Sequence, residues 1–344
     1  MVNDNKTKIL QVKDLKTYFF TENGIVKAVD GVDFEIYQGE TLGLVGESGC
    51  GKSVTAFSIV KLLDYPGKTV GGQVFFRGED LLKKTEKKMR QIRGKEISLI
   101  FQEPMTSLNP VFTIGFQITE ALTVHYKISK SKAQEKAVQL LEKVGIPIPE
   151  QRINEYPHQL SGGMRQRAMI AMALACDPTL LIADEPTTSL DVTIQAQILE
   201  LMKTLLKEFN SSLIMITHDL GVIAEIADRI AVMYAGKIVE YTDTRSIFYN
   251  PLHPYTYGLL TSIPRLDLDI EKLDSIPGLV PDPLHFPEGC KFHPRCPFAT
   301  AKCRKEEPVL KEVENKHMVR CWHFEKVKEE AKKIAFTGRL AVSE

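Results

Sequence analysis

No charge of one sign predominates in this sequence: 44 Lys and Arg residues face 44 Asp and Glu residues over 344 positions. Without a basic excess the chain lacks the electrostatic footprint of a nucleic-acid binder, so no nucleic-acid partner is expected. Also missing is any run of roughly 18 apolar residues that could span a bilayer. The opening residues, MVNDNKTKIL, lack the apolar centre of a secretory signal. Both absences predict a soluble chain that stays in the cytoplasm. There is no internal repeat and no low-complexity tract. Cysteine is scarce, at six, and four of the six fall between residues 290 and 321. Disulfides rarely persist in a reducing compartment, so such crowding leans toward metal ligation or catalysis. The basic stretch from Lys83 to Lys95 includes Glu86 and interspersed apolar residues, and it reads as the solvated face of a helix.

Residues 8 to 36 alternate apolar and polar positions around "TENG", which predicts strands joined by a turn. "ETLGLVGESGCGKSVTAFSIVKLL" runs an apolar strand through a glycine-rich loop into an apolar-periodic helix, half of a βαβ unit. From Thr106 to about Lys143, apolar residues such as Ile118, Leu122, Ala137, Leu140 and Leu141 recur at helical spacing. "TLLIADEP" and "SSLIMITHD" are continuous apolar runs ending in polar residues, the pattern of parallel strands buried on both faces with chemistry at their carboxyl ends. Ile194 to Phe209 reads as the crossover helix between them. Beyond Asn250 the texture changes, with nine prolines between 251 and 297 that forbid long helices. Glu325 to Lys333 reads as a short charged helix.

Three motifs carry chemistry. Gly46-Glu47-Ser48-Gly49-Cys50-Gly51-Lys52-Ser53 fits the phosphate-loop pattern between a strand and a helix. Its glycines let backbone N–H groups converge on phosphate oxygens and the helix adds its positive end. Lys52 is expected to reach the β- and γ-phosphates of a bound nucleotide, and the Ser53 hydroxyl to ligate Mg2+. Asp184 and Glu185 end an apolar strand; the first would hold the Mg2+ shell, and the second would orient or deprotonate the attacking water. Ser161, Gly162 and Gly163 open a helix and are either a second anion site or a plain N-cap.

Together these residues resemble the ATP-binding cassette ATPases over nearly the whole chain. The resemblance implies that Leu160-Ser161-Gly162-Gly163 is a signature loop closing the ATP site of an opposing subunit. It also implies that Gln102, in "IFQEP", is the Q-loop residue that couples the γ-phosphate site to the helical insert, a catalytic residue that also joins the Mg2+ site. Ser189-Leu190-Asp191 matches a D-loop, and His218 a γ-phosphate-sensing histidine. Phe19, or less favourably Tyr18, would stack on adenine. Val54 follows the loop where many cassettes have threonine. Soluble cassettes of DNA repair or translation are the alternative class. The former carry very long coiled coils and the latter usually two cassettes per chain, and neither feature is present. "NPLHPYTYGLL", "SIPG" and "GCKFHPRCPFA" resemble the extension of peptide and nickel importer motors, closest to the dipeptide/oligopeptide type. Such a subunit would sit peripherally on the cytoplasmic face of the cell membrane. Its partners would be a paralogous ATPase, two transmembrane permease subunits and, through these, an extracytoplasmic substrate-binding protein. Met105, Leu108, Val111, Phe112 and Phe116 would receive the permeases. Nickel or oligosaccharide remains open as cargo.

The expected architecture is thus an α/β P-loop NTPase core with an antiparallel β-subdomain, a helical insert and a small Cys/Pro-rich C-terminal domain. Its parts are a nucleotide-binding core over 1–102 and 169–250, a helical subdomain with the signature loop over 103–168, an extension over 251–330 and a tail over 331–344. Within the extension, Cys290, Cys296, Cys303 and Cys321 follow C-x5-C-x6-C-x17-C. That spacing lacks the short knuckles typical of zinc and suits the separated corners of a [4Fe-4S] cluster. Structural Zn2+, and disulfides or free thiols, are the alternatives.

Overall fold

The computed structural model describes residues 7–102, 107–188, 191–262 and 276–336. The strands in chain order are β1 (Lys8–Thr21), β2 (Gly24–Tyr37), β3 (Thr41–Val45), β4 (Gly67–Phe76), β5 (Glu79–Asp80), β6 (Ile97–Ile100), β7 (Leu180–Asp184), β8 (Ser212–Thr217), β9 (Arg229–Tyr234), β10 (Lys237–Asp243), β11 (Lys311–Glu314) and β12 (His317–Val319). The chain divides into two compact units: one built mainly from Phe75–Ile216, the other from Gln11–Glu35, Leu42–Val74 and the segment from Thr217 onward. No helix among the described residues is long and apolar enough to cross a membrane.

In the first unit β6, β7 and β8 are parallel and in register, with Ile100 opposite Ala183 and Asp184 opposite Ile216. Every residue of β7 and β8 is buried, as the apolar runs predict. The helical region forms two main helices, Ile114–His125 and Lys130–Lys143, each started by a hydroxyl cap. Thr113 Oγ1 accepts from Phe116 N, and Ser129 Oγ from Lys132 N. Their apolar stripes, with Ile118 and Leu122 on one and Ala137, Leu140 and Leu141 on the other, are buried as the two helices pack together. Glu86–Ile92 is a short helix whose Met89 alone is buried, matching the solvated-face reading of the basic stretch.

In the second unit β2, β1 and β4 lie side by side, while β3 pairs in parallel with β9 and β9 in antiparallel with β10. The segment beyond 250 does not stand apart from this unit. β12 extends the sheet at β10, pairing Glu240 with Val319, and β11 adds the edge. Leu252, Val319 and Cys321 form a small apolar core with Val313 and Phe324. Tyr255 and Phe292 both lie against Tyr234 of β9, at ring-centroid distances of 4.7 and 5.1 Å. Prolines are accommodated as expected: Pro254 takes the first turn of Pro254–Thr261, where no N–H is needed. The charged tail helix runs further than its pattern suggests, over Phe324–Phe336.

Candidate functional site

The phosphate loop is made possible by two glycines. Gly46 leaves β3 at φ +155°, and a Cβ there would sit 2.2 Å from the carbonyl oxygen of Met233 on neighbouring β9. Gly51, at φ +107°, would place a Cβ 2.2 Å from the Ala28 carbonyl oxygen. Any side chain at either position would push the loop off its strand. The helix Lys52–Ile59 starts directly from Gly51 with no side-chain cap, so its first N–H groups remain for an anion. Lys52 is buried, and its ammonium donates to the carbonyls of Gly46 at 2.7 Å and Glu47 at 3.1 Å. Ser48 and Gly49 form the exposed crest, and Ser53 and Val54 are half-buried in the first helical turn. The Cys50 thiol is buried, which raises its pKa to about 11, so this residue contributes backbone rather than a thiolate.

Of the two aromatic candidates, Tyr18 is committed elsewhere. Its hydroxyl donates to Asp30 Oδ1 at 2.9 Å, and Asp30 is in turn held by Lys291 and Lys237. Burial, reinforced by that hydrogen bond, lifts the Tyr18 pKa to about 12. Phe19 points the other way along β1, as alternation requires, and borders Gly67, where a Cβ would lie 2.8 Å from its ring.

In the first unit the register of β6 on β7 decides the geometry. With Ile100 opposite Ala183, the next two residues on each strand bring Gln102 level with Glu185, and Gln102 Nε2 donates to Glu185 Oε2 at 3.1 Å. Thr188 Oγ1 donates to the same oxygen at 2.9 Å, and Glu185 N donates to Ile216 O at 2.8 Å. Glu185 holds a left-handed backbone, φ +46°, an uncommon conformation for a non-glycine residue and one that gathers at reactive sites. Asp184 is 4% exposed at the end of β7. Ser161 caps the helix Gly162–Leu174 through Met164 N, and a Cβ on Gly162 would meet nothing within 4 Å, which leaves that helix start open to a ligand. Asp191 caps the helix Val192–Glu208, whereas Ser189 and Leu190 lie outside the described residues. His218 follows β8 and is exposed; the adjacent Asp219 caps the next helix through Gly221 N and Val222 N.

The expected docking patch is only partly a surface. Leu108 is buried and belongs to the core, and Met105 lies outside the described residues. Val111, Phe112 and Phe116 are exposed, with the two phenylalanine rings stacked at 4.6 Å.

Cys290, Cys296, Cys303 and Cys321 are all free thiols and line one cavity, together with His293 and His323. Cys290 N donates to Cys303 O at 2.8 Å, and the Cys321 sulfur accepts from His323 N at 3.3 Å. Burial raises the thiol pKa of Cys296 and Cys321 to about 12, and it also raises that of Cys290. The four cysteines share a cavity, but the expected [4Fe-4S] site is not formed there. Among the described residues no three His, Cys, Asp or Glu side chains are drawn together closely enough to hold a metal ion.

A glycine-rich phosphate loop on one parallel strand, and an Asp-Glu pair engaged by a glutamine on another, define a P-loop nucleotide-binding protein. Residues 29–188 match the ABC transporter family, and residues 239–303 match the oligopeptide/dipeptide transporter C-terminal region. The oligopeptide transport ATP-binding protein AppD of Bacillus subtilis is 56% identical over 92% of this chain and 97% of its own length. The dipeptide transport ATP-binding protein DppD of Escherichia coli is 51% identical over 91% of this chain and 96% of its own. A solved dimeric ATP-binding cassette in a post-hydrolysis state with ADP and Pi superposes with a TM-score of 0.62 at 28% identity, covering 69% of this chain and 99% of that one. The chain belongs to the ATP-binding cassette transporter family, among the oligopeptide and dipeptide transport ATP-binding proteins.

What sequence reasoning missed lies mostly beyond residue 235. Glu240, buried in β10, accepts from Leu252 N at 2.6 Å and His253 N at 2.9 Å and lies 2.7 Å from His317 Nε2. A glutamate inside the apolar run "KIVEY" was the available signal.

Proposed function

We propose that this chain is the ATP-hydrolysing motor subunit of a bacterial peptide importer, acting on the cytoplasmic face of the membrane. The observation that carries the reading is the match of both the cassette and the C-terminal region to oligopeptide and dipeptide transport ATP-binding proteins along nearly their full length. Lys52, which rests on its own loop carbonyls, turns to the β- and γ-phosphates when ATP enters. Ser53, Asp184 and Gln102 are the residues assigned to Mg2+, which supplies charge neutralisation on the phosphates. Glu185 accepts the proton of the attacking water, held for that task by Gln102 and Thr188. His218 contacts the γ-phosphate, and Phe19 stacks on adenine in preference to Tyr18, whose hydroxyl is committed to Asp30.

The Ser161-Gly162-Gly163 helix start closes the ATP site of a second, paralogous ATPase, whose own signature closes this chain's site. Val111, Phe112 and Phe116 receive helices of two permease subunits, since exposed aromatic side chains grouped this way suit a protein contact. Cargo selection falls to the permeases and an extracytoplasmic binding protein. The four cysteines hold a [4Fe-4S] cluster, supported by their spacing and by the cavity they share. A bound cation would offset the burial that raises the thiol pKa of Cys290, Cys296 and Cys321. Iron and labile sulfide in anaerobically purified protein test it, and colourless protein with one zinc per chain would put the zinc site in its place. Reconstitution with the permeases, the paralogue and the binding protein tests the motor reading, which predicts ATP turnover stimulated by peptide-loaded binding protein. Turnover in that assembly indifferent to every peptide supplied, and stimulated by a nickel chelate or an oligosaccharide, would overturn the peptide assignment.

A further inference from the structure

Arg295 precedes Cys296 in the four-cysteine segment, yet its guanidinium ends on the phosphate loop. Nη1 and Nη2 lie 2.6 and 3.0 Å from the two carboxyl oxygens of Glu47. The Arg295 side chain is 4% exposed, and its Nε donates to Pro277 O at 3.0 Å, which fixes the plane of the fork. A second tie meets the same residue: Glu47 N donates to Tyr255 Oη at 2.8 Å. The first variable residue of the phosphate loop is therefore held at side chain and backbone by residues from beyond position 250. Lys291 adds a third link, donating at 2.9 Å to the carbonyl of Ala235, next to Gly236, whose N–H donates to Cys50 O at 2.9 Å.

Glu47 is an acid in a loop whose task is to attract a polyanion. Unneutralised, its charge would repel the incoming phosphates; paired in a two-pronged, largely dry contact, it does not. We propose that Arg295 is a positioning residue of the ATPase: carried by the four-cysteine segment, it neutralises Glu47 and fixes the phosphate loop, so that ATP affinity depends on that segment. The proposal rests on Gly46–Ser53 being the ATP phosphate site.

Titration of the purified full chain with a fluorescent ATP analogue at low salt tests it. Arg295→Gln, which keeps most of the side-chain length, should weaken ATP binding on the order of fivefold and ADP binding less, because ADP carries less charge. Adding Glu47→Gln to that variant should bring affinity back to within about twofold of wild type. That rescue is the signature of charge, which a merely structural role would not produce. An unchanged affinity in Arg295→Gln, or a loss that Glu47→Gln does not relieve, overturns the proposal. Should Arg295→Gln fail to fold, Glu47→Gln alone carries the test: equal or tighter ATP binding supports the proposal and weaker binding overturns it. Lys52→Ala distinguishes the failure of the premise, since wild-type affinity in that variant would mean that the loop is not the phosphate site at all.

Discussion

Replacing Glu240 with leucine should remove about 2–6 kcal/mol from the unfolding free energy, a large share of what a domain possesses. Glu240 sits in β10 beside a register shift in its pairing with β9, between Ile238 and Glu240, and is fully buried. The bulge turns a carboxyl into the interior, where it meets the chain at its passage into the C-terminal extension. Its oxygens accept the N–H groups of Leu252 and His253, and Oε1 also faces His317 Nε2 on β12. Leucine nearly conserves the volume, so the cavity contribution is small and the lost acceptors dominate. Each buried N–H left without an acceptor costs about 1–3 kcal/mol, and two are orphaned together with the His317 ring. Glu240→Gln keeps one acceptor and should lose about half as much. Urea unfolding gives the free energy, and limited proteolysis beyond residue 250 reports whether the extension loosens first. A Glu240→Leu loss below about 1 kcal/mol, within the range of ordinary single substitutions, would refute the reasoning.

The parts of the molecule that were legible in the sequence are those where one local pattern determines the outcome. The glycine spacing of the phosphate loop is such a case, because φ +107° at Gly51 and the 2.2 Å approach to Ala28 O leave no alternative residue. Buried parallel strands were readable as unbroken apolar runs, and the parallel register then brought Gln102 to Glu185 across 83 positions. Where pattern and packing diverged, the reading failed. Leu108 shares its apolar character with Phe112 and Phe116, and only burial separates the core residue from the surface ones. Arg295 and Glu47 are 248 positions apart and Glu240 and His317 are 77 apart, with no periodicity relating either pair. The change of composition at 250 suggests a small Cys/Pro-rich C-terminal domain, whereas the described residues beyond it fall in one compact unit with β1, β3 and β9. Composition reports a lack of core-forming residues, and the chain met that lack by adding β12 to an existing sheet and Phe292 to Tyr234.

Glu185→Gln should retain ATP binding while the assembled ATPase loses at least about hundredfold in turnover, measured by phosphate release in the reconstituted transporter. Gly51→Ala should abolish ATP-analogue binding in a chain that still folds, because the Cβ can be accommodated only by moving the loop; calorimetry against a circular-dichroism melt separates the two effects. The acid dependence of stability is expected to pass through Asp30. Burial pushes its carboxyl up, but the Lys291 and Lys237 ammonium groups and the Tyr18 hydroxyl outweigh burial and leave its pKa at about 2, below the ordinary 3.8. The folded value lies below the unfolded one, so added acid protonates the unfolded chain first. Stability from this group is therefore complete above the ordinary carboxylate range and disappears as pH falls through about 2. At about 1.4 kcal/mol per pKa unit the contribution is at most about 2.5 kcal/mol, reduced where water screens the pair. Asp30→Asn should consequently be less stable than wild type at pH 7 by up to that amount, with the gap narrowing as the pH is taken down through the carboxylate range. Urea midpoints for the two chains at a series of pH values measure it. A gap that stayed constant on acidification would mean that Asp30 acts through its shape and its hydrogen bond to Tyr18 rather than through its charge.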